Sequence, residues 1–203
     1  MIWVEPGTFT MGSPTTEPGR YSDETEHNVT LTKGFYLGKY EVTQAQYEAV
    51  MTGNTTESNG SVMSATPSYF ANNPNRPVEN VTWDDVQVFL DRLNAQQSGN
   101  IQDGWAYVLP TESQWEYACR AGTTTAYSWG NEFNATRANY SASGIGQTTD
   151  VGQYAANPWG FFDMHGNVVE WTSDWSSGGG IISPSEGISR RTRGGSWYWY
   201  GSM

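Results

Sequence analysis

The segment from Asn157 to Trp175, NPWGFFDMHGNVVEWTSDW, constrains the fold more than any other part of the sequence. Its three tryptophans and three carboxylates follow neither the two-residue alternation of a strand nor the 3.6-residue spacing of a helix. The whole chain carries 10 Trp, 12 Tyr and 23 Gly in 203 residues. This combination predicts a fold rich in loops, in which large aromatic rings fill the core.

Length, charge and cysteine content limit the classes of protein. A chain of 203 residues with no internal repeat and no linker-like segment predicts one domain over residues 1–203. The net charge of −11 argues against a nucleic-acid partner, and no apolar run is long enough to span a membrane. The single cysteine, Cys119, excludes an intrachain disulfide. The N-terminus shows no signal-peptide pattern, which leaves both a cytoplasmic location and export from a longer precursor open.

Local patterns predict three helices, over residues 43–51, 83–96 and 111–120. Each helix follows a threonine whose hydroxyl can accept a hydrogen bond from a free backbone N–H group: Thr43, Thr82 and Thr111. The segment IWVEPGTFTMGS predicts one edge strand that ends in a turn at Gly12, and VTLTKGFYLGKYEVT predicts two further short strands. From Tyr127 onward the sequence predicts no helix.

A lone cysteine raises the hypothesis of a nucleophile. Cys119 lies on the predicted inner face of a short helix, beside Trp115. Neither His27 nor His165 is near it in sequence, and no catalytic-triad order is visible. The pattern therefore favours a small buried apolar side chain, and the two histidines lack the spacing of a zinc site.

The segment DMHGNVVE carries residue types that suit a hard cation. Calcium prefers carboxylate and backbone carbonyl oxygens from a tightly curled loop, and Gly166 permits such a curl. Asp163 and Glu170 can bracket an ion while the carbonyls of Gly166 and Val168 complete the shell. The spacing is not that of an EF-hand, so a turn with solvated acidic side chains is the open alternative.

Several motifs in fixed order resemble the formylglycine-generating enzyme family, also called sulfatase-modifying factor domains. They begin with WVEPGTFTMGS, GFYLGKYEVTQAQYEAV and RPVENVTWDDVQVFLDRLN. They continue with LPTESQWEYACRAG, the 157–175 segment and RTRGGSW, so the resemblance covers nearly the whole chain. It implies an α+β fold, a compact variant of the C-type lectin fold with little regular secondary structure, few short helices and short antiparallel strands.

The resemblance also implies structural calcium. The family's calcium loop matches Asp163, Gly166, Val168 and Glu170, the first and last through side chains and the middle two through carbonyls. A second family calcium site matches Asn139 and Tyr140, and Asp150 is a candidate to complete it.

The catalytic residues of the family are not matched. Enzymes of the family oxidise a sulfatase cysteine to formylglycine with two cysteines and a copper ion, and both cysteines follow an Arg-Gly-Gly-Ser motif. Here Ser196 matches the active-site serine, but Trp199 matches the first cysteine, and the chain stops at Met203 before the second. Thiolates select Cu(I), and this pair of thiolates is missing, so copper is not expected to bind. Because the chain stops before the second cysteine position, the sequence is expected to be a C-terminally truncated family domain.

The expected function is therefore a non-catalytic, calcium-stabilised module that binds a protein or peptide ligand through Ser196, Trp197 and Trp199. Tyrosine and tryptophan are favoured contact residues. The resemblance also extends to the variable proteins of diversity-generating retroelements, which use this fold to display a hypervariable ligand-binding surface near the C-terminus, and a protein of this kind is one form of the expected function. The structural alternative is that these aromatic side chains cap the core. The functional alternative is a formylglycine-generating oxidase whose catalytic cysteines lie beyond the end of this chain.

Overall fold

Three two-stranded antiparallel sheets carry all the named strands of the described structure. The computed structural model describes residues 1–17, 19–20, 24–53, 63–176 and 189–199. Strand β1 (Ile2–Val4) pairs with β4 (Phe35–Leu37), and β2 (Gly7–Met11) pairs with β3 (His27–Leu31). Strand β5 (Glu170–Ser176) pairs with β6 (Ser189–Arg193), with an irregular register between Trp171 and Trp175.

The predicted N-terminal edge strand is wrong in one respect, because the segment forms two strands in two different sheets. Pro6 lies between β1 and β2, and proline has no N–H to continue a ladder of hydrogen bonds. The predicted turn at Gly12 is confirmed, with φ +94°. The two strands predicted in residues 29–43 correspond to β3 and β4.

All three predicted helices are confirmed. They are α1 (Gln44–Met51), α2 (Trp83–Gln97) and α3 (Glu112–Arg120). Each begins with a complete capping box. The side chain of the threonine before the helix accepts a hydrogen bond from the N–H of the third helical residue, and the side chain of that third residue accepts one from the N–H of the threonine. After residue 127 the described residues contain only a 3₁₀ turn, Ser141–Ser143, besides β5 and β6.

The chain divides into two compact units, Met1–Glu41 with Pro110–Met203, and Val42–Leu109. In the first, Trp115, Ala118 and Cys119 on α3 are buried with Phe161, as the sequence predicts. In the second, the rings of Tyr47 and Phe89 stack with centroids 5.2 Å apart in the core between α1 and α2. One domain over 1–203 stays a prediction. Among the described residues, no helix combines the length and apolarity needed to cross a membrane.

Buried charge fixes β6 against α3 and so positions the residues that follow β6. Glu116 is buried, and its Oε1 accepts hydrogen bonds from the Gly12 N–H and the Arg120 Nε, each at 2.8 Å. The Nη2 of Arg193 donates to Glu116 Oε2 at 2.9 Å and also lies 2.9 Å from Glu112 Oε1. Because both oxygens of Glu116 are paired, the end of β6 is held at a fixed place on the helix.

Candidate functional site

The segment after β6, which we call the aromatic turn (residues 194–199), begins with two glycines in the left-handed region. Gly194 has φ +97° and Gly195 has φ +73°. A Cβ atom on Gly194 would lie 3.3 Å from Cζ2 of Trp115 and 3.7 Å from the carbonyl oxygen of Val168. At Gly195 a Cβ atom would meet open space among the described residues. Gly194 is therefore required both for its backbone angle and for close packing.

Main-chain hydrogen bonds fix the aromatic turn at both ends. The Trp197 N–H donates to the carbonyl of Asn167 at 3.0 Å, and the Ser141 N–H donates to the carbonyl of Trp199 at 3.0 Å. Inside the turn, the Trp199 N–H donates to the Ser196 carbonyl at 3.0 Å. The conformation therefore depends on two loops that lie far away in sequence.

The side chains of the aromatic turn differ in exposure. Ser196 and Trp197 are half-buried, whereas Tyr198 is 69% exposed and Trp199 is 47% exposed. The rings of Trp197 and Tyr198 meet edge to face with centroids 5.5 Å apart. The structure thus brings the three sequence candidates into one turn. It adds Tyr198, which the sequence analysis missed because no periodicity in GGSWYWY separates inward from outward positions.

Asn167 lies within residues 163–170, which form the second part of the candidate site and which we call the acidic loop. It has φ +67° and is fully buried. Its N–H donates to the carbonyl of Asn139 at 2.7 Å, and its Oδ1 accepts from the Thr149 N–H at 2.9 Å. Its Nδ2 donates to Oε2 of Glu41 at 2.7 Å. One side chain therefore connects three separate segments to the acidic loop.

Three carboxyl groups at or next to the acidic loop influence one another electrostatically. Glu41 is buried, and burial, then the charges of Asp163 and Glu170, raise its pKa well above the ordinary value. Asp163 is also buried, and burial raises its pKa; its Oδ2 accepts from the Gly152 N–H at 2.6 Å. Loss of hydration raises the pKa of Glu170 to about 7, against the opposing effect of the Trp115 indole. Negative charge is therefore costly here without a compensating partner.

The donor atoms of the acidic loop suit a hard cation. The Oδ1 of Asp163 is buried and has no hydrogen-bond partner. The Val168 carbonyl oxygen and Glu170 Oε1 both lie next to Gly194. In the described part of the chain, however, no three His, Cys, Asp or Glu side chains are grouped to hold a metal. A cation would therefore need backbone carbonyls, including that of Gly166, and calcium accepts such mixed donors.

The second expected calcium position has a structural role. The Asn139 side chain donates to the Gln147 carbonyl at 2.9 Å and accepts from the Ser143 hydroxyl at 3.1 Å. The Tyr140 carbonyl accepts from the Ser143 N–H at 2.9 Å. The side chain of Asn139 and the carbonyl of Tyr140 therefore already bond to protein groups, and calcium ligation there, including by Asp150, stays a prediction.

Comparison with known proteins decides the family. The sequence profile described as "Sulfatase-modifying factor enzyme 1-like domain" matches residues 1–203. The chain belongs to this family. Among similar proteins, the chaperone protein LppX of Paenibacillus barcinonensis is 32% identical over 97% of this chain and 78% of its own length. The formylglycine-generating enzyme of Mus musculus is 26% identical over 97% of this chain and 66% of its own length.

Other proteins to which this chain is similar are longer or carry different names. The chain spans 33% of a 27% identical serine/threonine-protein kinase, pkn1, of Chlamydia caviae. Among solved structures, PvdO from Pseudomonas aeruginosa superposes with a TM-score of 0.79 at 28% identity, covering 96% of this chain and 81% of PvdO. Treponema denticola variable protein 1 superposes with a TM-score of 0.75 at 26% identity, covering 100% of this chain and 85% of the variable protein. These likenesses confirm the α+β fold expected from the sequence.

Cys119, the single cysteine of this family member, is buried beside a histidine. Its Sγ lies 3.6 Å from Nε2 of His165, a proximity that the sequence analysis missed because 46 residues separate the two. Nε2 of His165 also accepts from the Ser128 N–H at 3.1 Å. Burial raises the pKa of Cys119 and lowers the pKa of His165 to about 3. Both pKa shifts favour the neutral forms near pH 7, and the predicted burial of Cys119 is confirmed.

The two glycines provide a matched test of the aromatic turn. Alanine at either position costs about 1–2 kcal/mol for the left-handed backbone, and Gly194→Ala adds contact with Trp115. We expect Gly194→Ala to lower the free energy of unfolding in urea by roughly 2–3 kcal/mol and Gly195→Ala by about 1 kcal/mol. Equal losses for the two variants would contradict the packing described for Gly194.

Proposed function

We propose that this member of the sulfatase-modifying factor family is a non-catalytic module that binds a protein or peptide through the aromatic turn. The observation that carries the proposal is the exposure of Tyr198 and Trp199 on a backbone fixed by hydrogen bonds at both ends. Half-buried Ser196 and Trp197 flank the contact surface. Large exposed rings on a fixed backbone favour a binding role over the core-capping alternative.

Physical chemistry supports a protein or peptide as the ligand class. Tyrosine and tryptophan supply large contact areas at low cost in side-chain entropy, and they are enriched among residues that dominate binding energy. A backbone already held in one conformation loses little further freedom on binding. The names of two similar proteins, a chaperone and a variable protein, agree with a protein-binding role, including that of a retroelement variable protein. The net charge of −11 favours a neutral or basic partner surface and disfavours nucleic acid.

Catalysis by copper has no thiolate pair to support it within these 203 residues. The sequence contains one cysteine, and Cys119 is buried on α3 with a raised pKa. Trp199 occupies the position that matches the family's first catalytic cysteine. The alternative, a formylglycine-generating oxidase, would require cysteines outside the given sequence.

We also propose that calcium stabilises the module at the acidic loop. The side chains of Asp163 and Glu170 would hold the ion together with the carbonyls of Gly166 and Val168. The buried, unpartnered Oδ1 of Asp163 supports this assignment. A bound divalent cation supplies positive charge where three carboxyl groups otherwise repel one another, and it has no step in a reaction.

The binding proposal is tested with three single substitutions. Trp199→Ala and Tyr198→Ala remove the exposed rings, and Tyr69→Ala is the matched control, because Tyr69 is 81% exposed elsewhere on the chain. Proteins retained by the immobilised wild type are quantified by mass spectrometry, and the leading partner is purified for calorimetry. We expect Trp199→Ala to raise the dissociation constant roughly 30-fold, the effect of a hot spot of about 2 kcal/mol, and Tyr69→Ala to leave it unchanged.

Equal weakening by Tyr69→Ala and Trp199→Ala would contradict binding at the aromatic turn. The enzymatic alternative is tested in parallel with copper and a cysteine-containing sulfatase peptide. Formation of formylglycine by the wild-type chain, detected by mass spectrometry, would contradict the non-catalytic assignment.

The calcium proposal is tested by thermal unfolding. A ligand that binds only the folded state stabilises by about 2.7 kcal/mol at 100 times its dissociation constant, which corresponds to roughly 5–10 °C for a chain of this size. We expect this rise in Tm on replacing EDTA with calcium. Asp163→Ala and Glu170→Gln should abolish it, and Glu48→Gln, an exposed carboxylate on α1, should preserve it. A full calcium-dependent rise in both site variants would place the ion elsewhere.

A further inference from the structure

The aromatic turn and the acidic loop are joined by main-chain contacts at the expected calcium ligands. The Asn167 carbonyl, which anchors the Trp197 N–H, belongs to the residue between Gly166 and Val168. The second anchor, Ser141, directly follows Tyr140. Both anchors of the turn are therefore sequence neighbours of groups assigned to a cation.

We infer that a calcium ion bound by the acidic loop stabilises the anchored, hydrogen-bonded conformation of the aromatic turn, so that calcium and the protein partner each strengthen the binding of the other. This inference rests on the proposed function, because it assigns a regulation to the same surface. It concerns the conformation of residues 196–199, which are not themselves cation ligands.

Peptide planarity provides the first route for this coupling. The Gly166 carbonyl shares a rigid plane with the Asn167 N–H, which donates to the Asn139 carbonyl at 2.7 Å. A cation that fixes the Gly166 carbonyl therefore also fixes the direction of this hydrogen bond. The effect continues along the chain from Asn139 through Tyr140 to Ser141, which holds the Trp199 carbonyl.

The second route runs through the next peptide plane. The Asn167 carbonyl, which accepts from the Trp197 N–H, shares a plane with the Val168 N–H. That N–H donates to Oε1 of Glu41 at 3.1 Å, and the Asn167 side chain donates to the other oxygen of Glu41 at 2.7 Å. A cation on the Val168 carbonyl would restrain the following peptide plane as well, so the acceptor for Trp197 would be attached to two restrained segments.

Stabilisation of the anchored conformation reduces the conformational entropy that the aromatic turn loses when a partner binds. Fixing the backbone of one residue costs about 1–2 kcal/mol, and a first ligand that has already restricted the segment reduces this cost for the second. The coupling is reciprocal, because the factor by which calcium changes the affinity for the partner equals the factor by which the partner changes the affinity for calcium.

The test uses calcium alone as the probe and needs no partner. Hydrogen exchange of the wild-type chain is measured in calcium and in EDTA by mass spectrometry with fragmentation that separates single amides. We expect calcium to slow the exchange of the Trp197 and Trp199 amides on the order of tenfold, within the usual range for coupled sites. The acidic loop, residues 163–170, should be protected in the same experiment.

Ser141→Pro removes one anchor with little other change. Ser141 is the first residue of the 3₁₀ turn, where proline is well tolerated, and Tyr140 has φ −147° and ψ 179°, the extended conformation that precedes proline. The substitution deletes the N–H that holds the Trp199 carbonyl, whereas the control Ser141→Ala keeps it. We expect Ser141→Pro to lose the calcium-dependent protection of the Trp199 amide while its calcium affinity in calorimetry stays within threefold of the wild type.

The possible failures are distinguishable. If calcium binds and protects residues 163–170 but leaves Trp197 and Trp199 unchanged, the coupling is overturned and the calcium site stands. If calorimetry detects no calcium binding by the wild type, the calcium part of the proposed function fails, and the coupling fails with it. Full protection of the Trp199 amide in Ser141→Pro would overturn the route through Ser141.

Discussion

The hydrogen bonds of one buried residue, Asn167, hold together the parts of the molecule that carry its proposed function. The position demands a left-handed backbone, a buried donor and a buried acceptor at the same time. Asparagine meets all three demands, because its short amide tolerates positive φ and offers both kinds of polar atom. Glycine would satisfy the backbone alone, and it would leave Oε2 of Glu41 and the Thr149 N–H without the Asn167 side chain.

The acidic loop carries the unfavourable free energy of this arrangement, which comes from carboxyl groups that have lost hydration. Glu41 and Asp163 are buried and Glu170 is half-buried, and the pKa of each is raised by loss of hydration. Buried like charges are unfavourable unless a proton or a cation compensates them. A calcium ion at this loop would stabilise the fold and, through Asn167, the backbone of the aromatic turn. The non-catalytic interpretation therefore assigns one function to the loop and the turn together.

Local sequence signals predicted the helices well, because a capping box such as Thr111 with Gln114 is complete within four residues. The N-terminal strand was predicted less well, since Pro6 changes the pairing of both flanking segments. The hydrogen bond between Glu41 and Asn167 joins residues that are 126 positions apart, and no local sequence pattern predicts it. Family resemblance singled out Ser196 and Trp199 as candidates, and the aromatic C-terminal segment added Trp197. The exposure of Tyr198 required the three-dimensional structure, because burial depends on long-range packing.

The most direct test of this account is the stability of Asn167→Gly, which keeps the left-handed backbone and removes only the side-chain hydrogen bonds. Asn72→Gly is the matched control, because Asn72 is an exposed asparagine with φ +64°. Unfolding in urea should show a loss of at least about 3 kcal/mol for Asn167→Gly, since several buried groups lose a partner at about 1–3 kcal/mol each. The control should change by less than about 0.5 kcal/mol. Equal stability of the two variants would contradict the central role of Asn167.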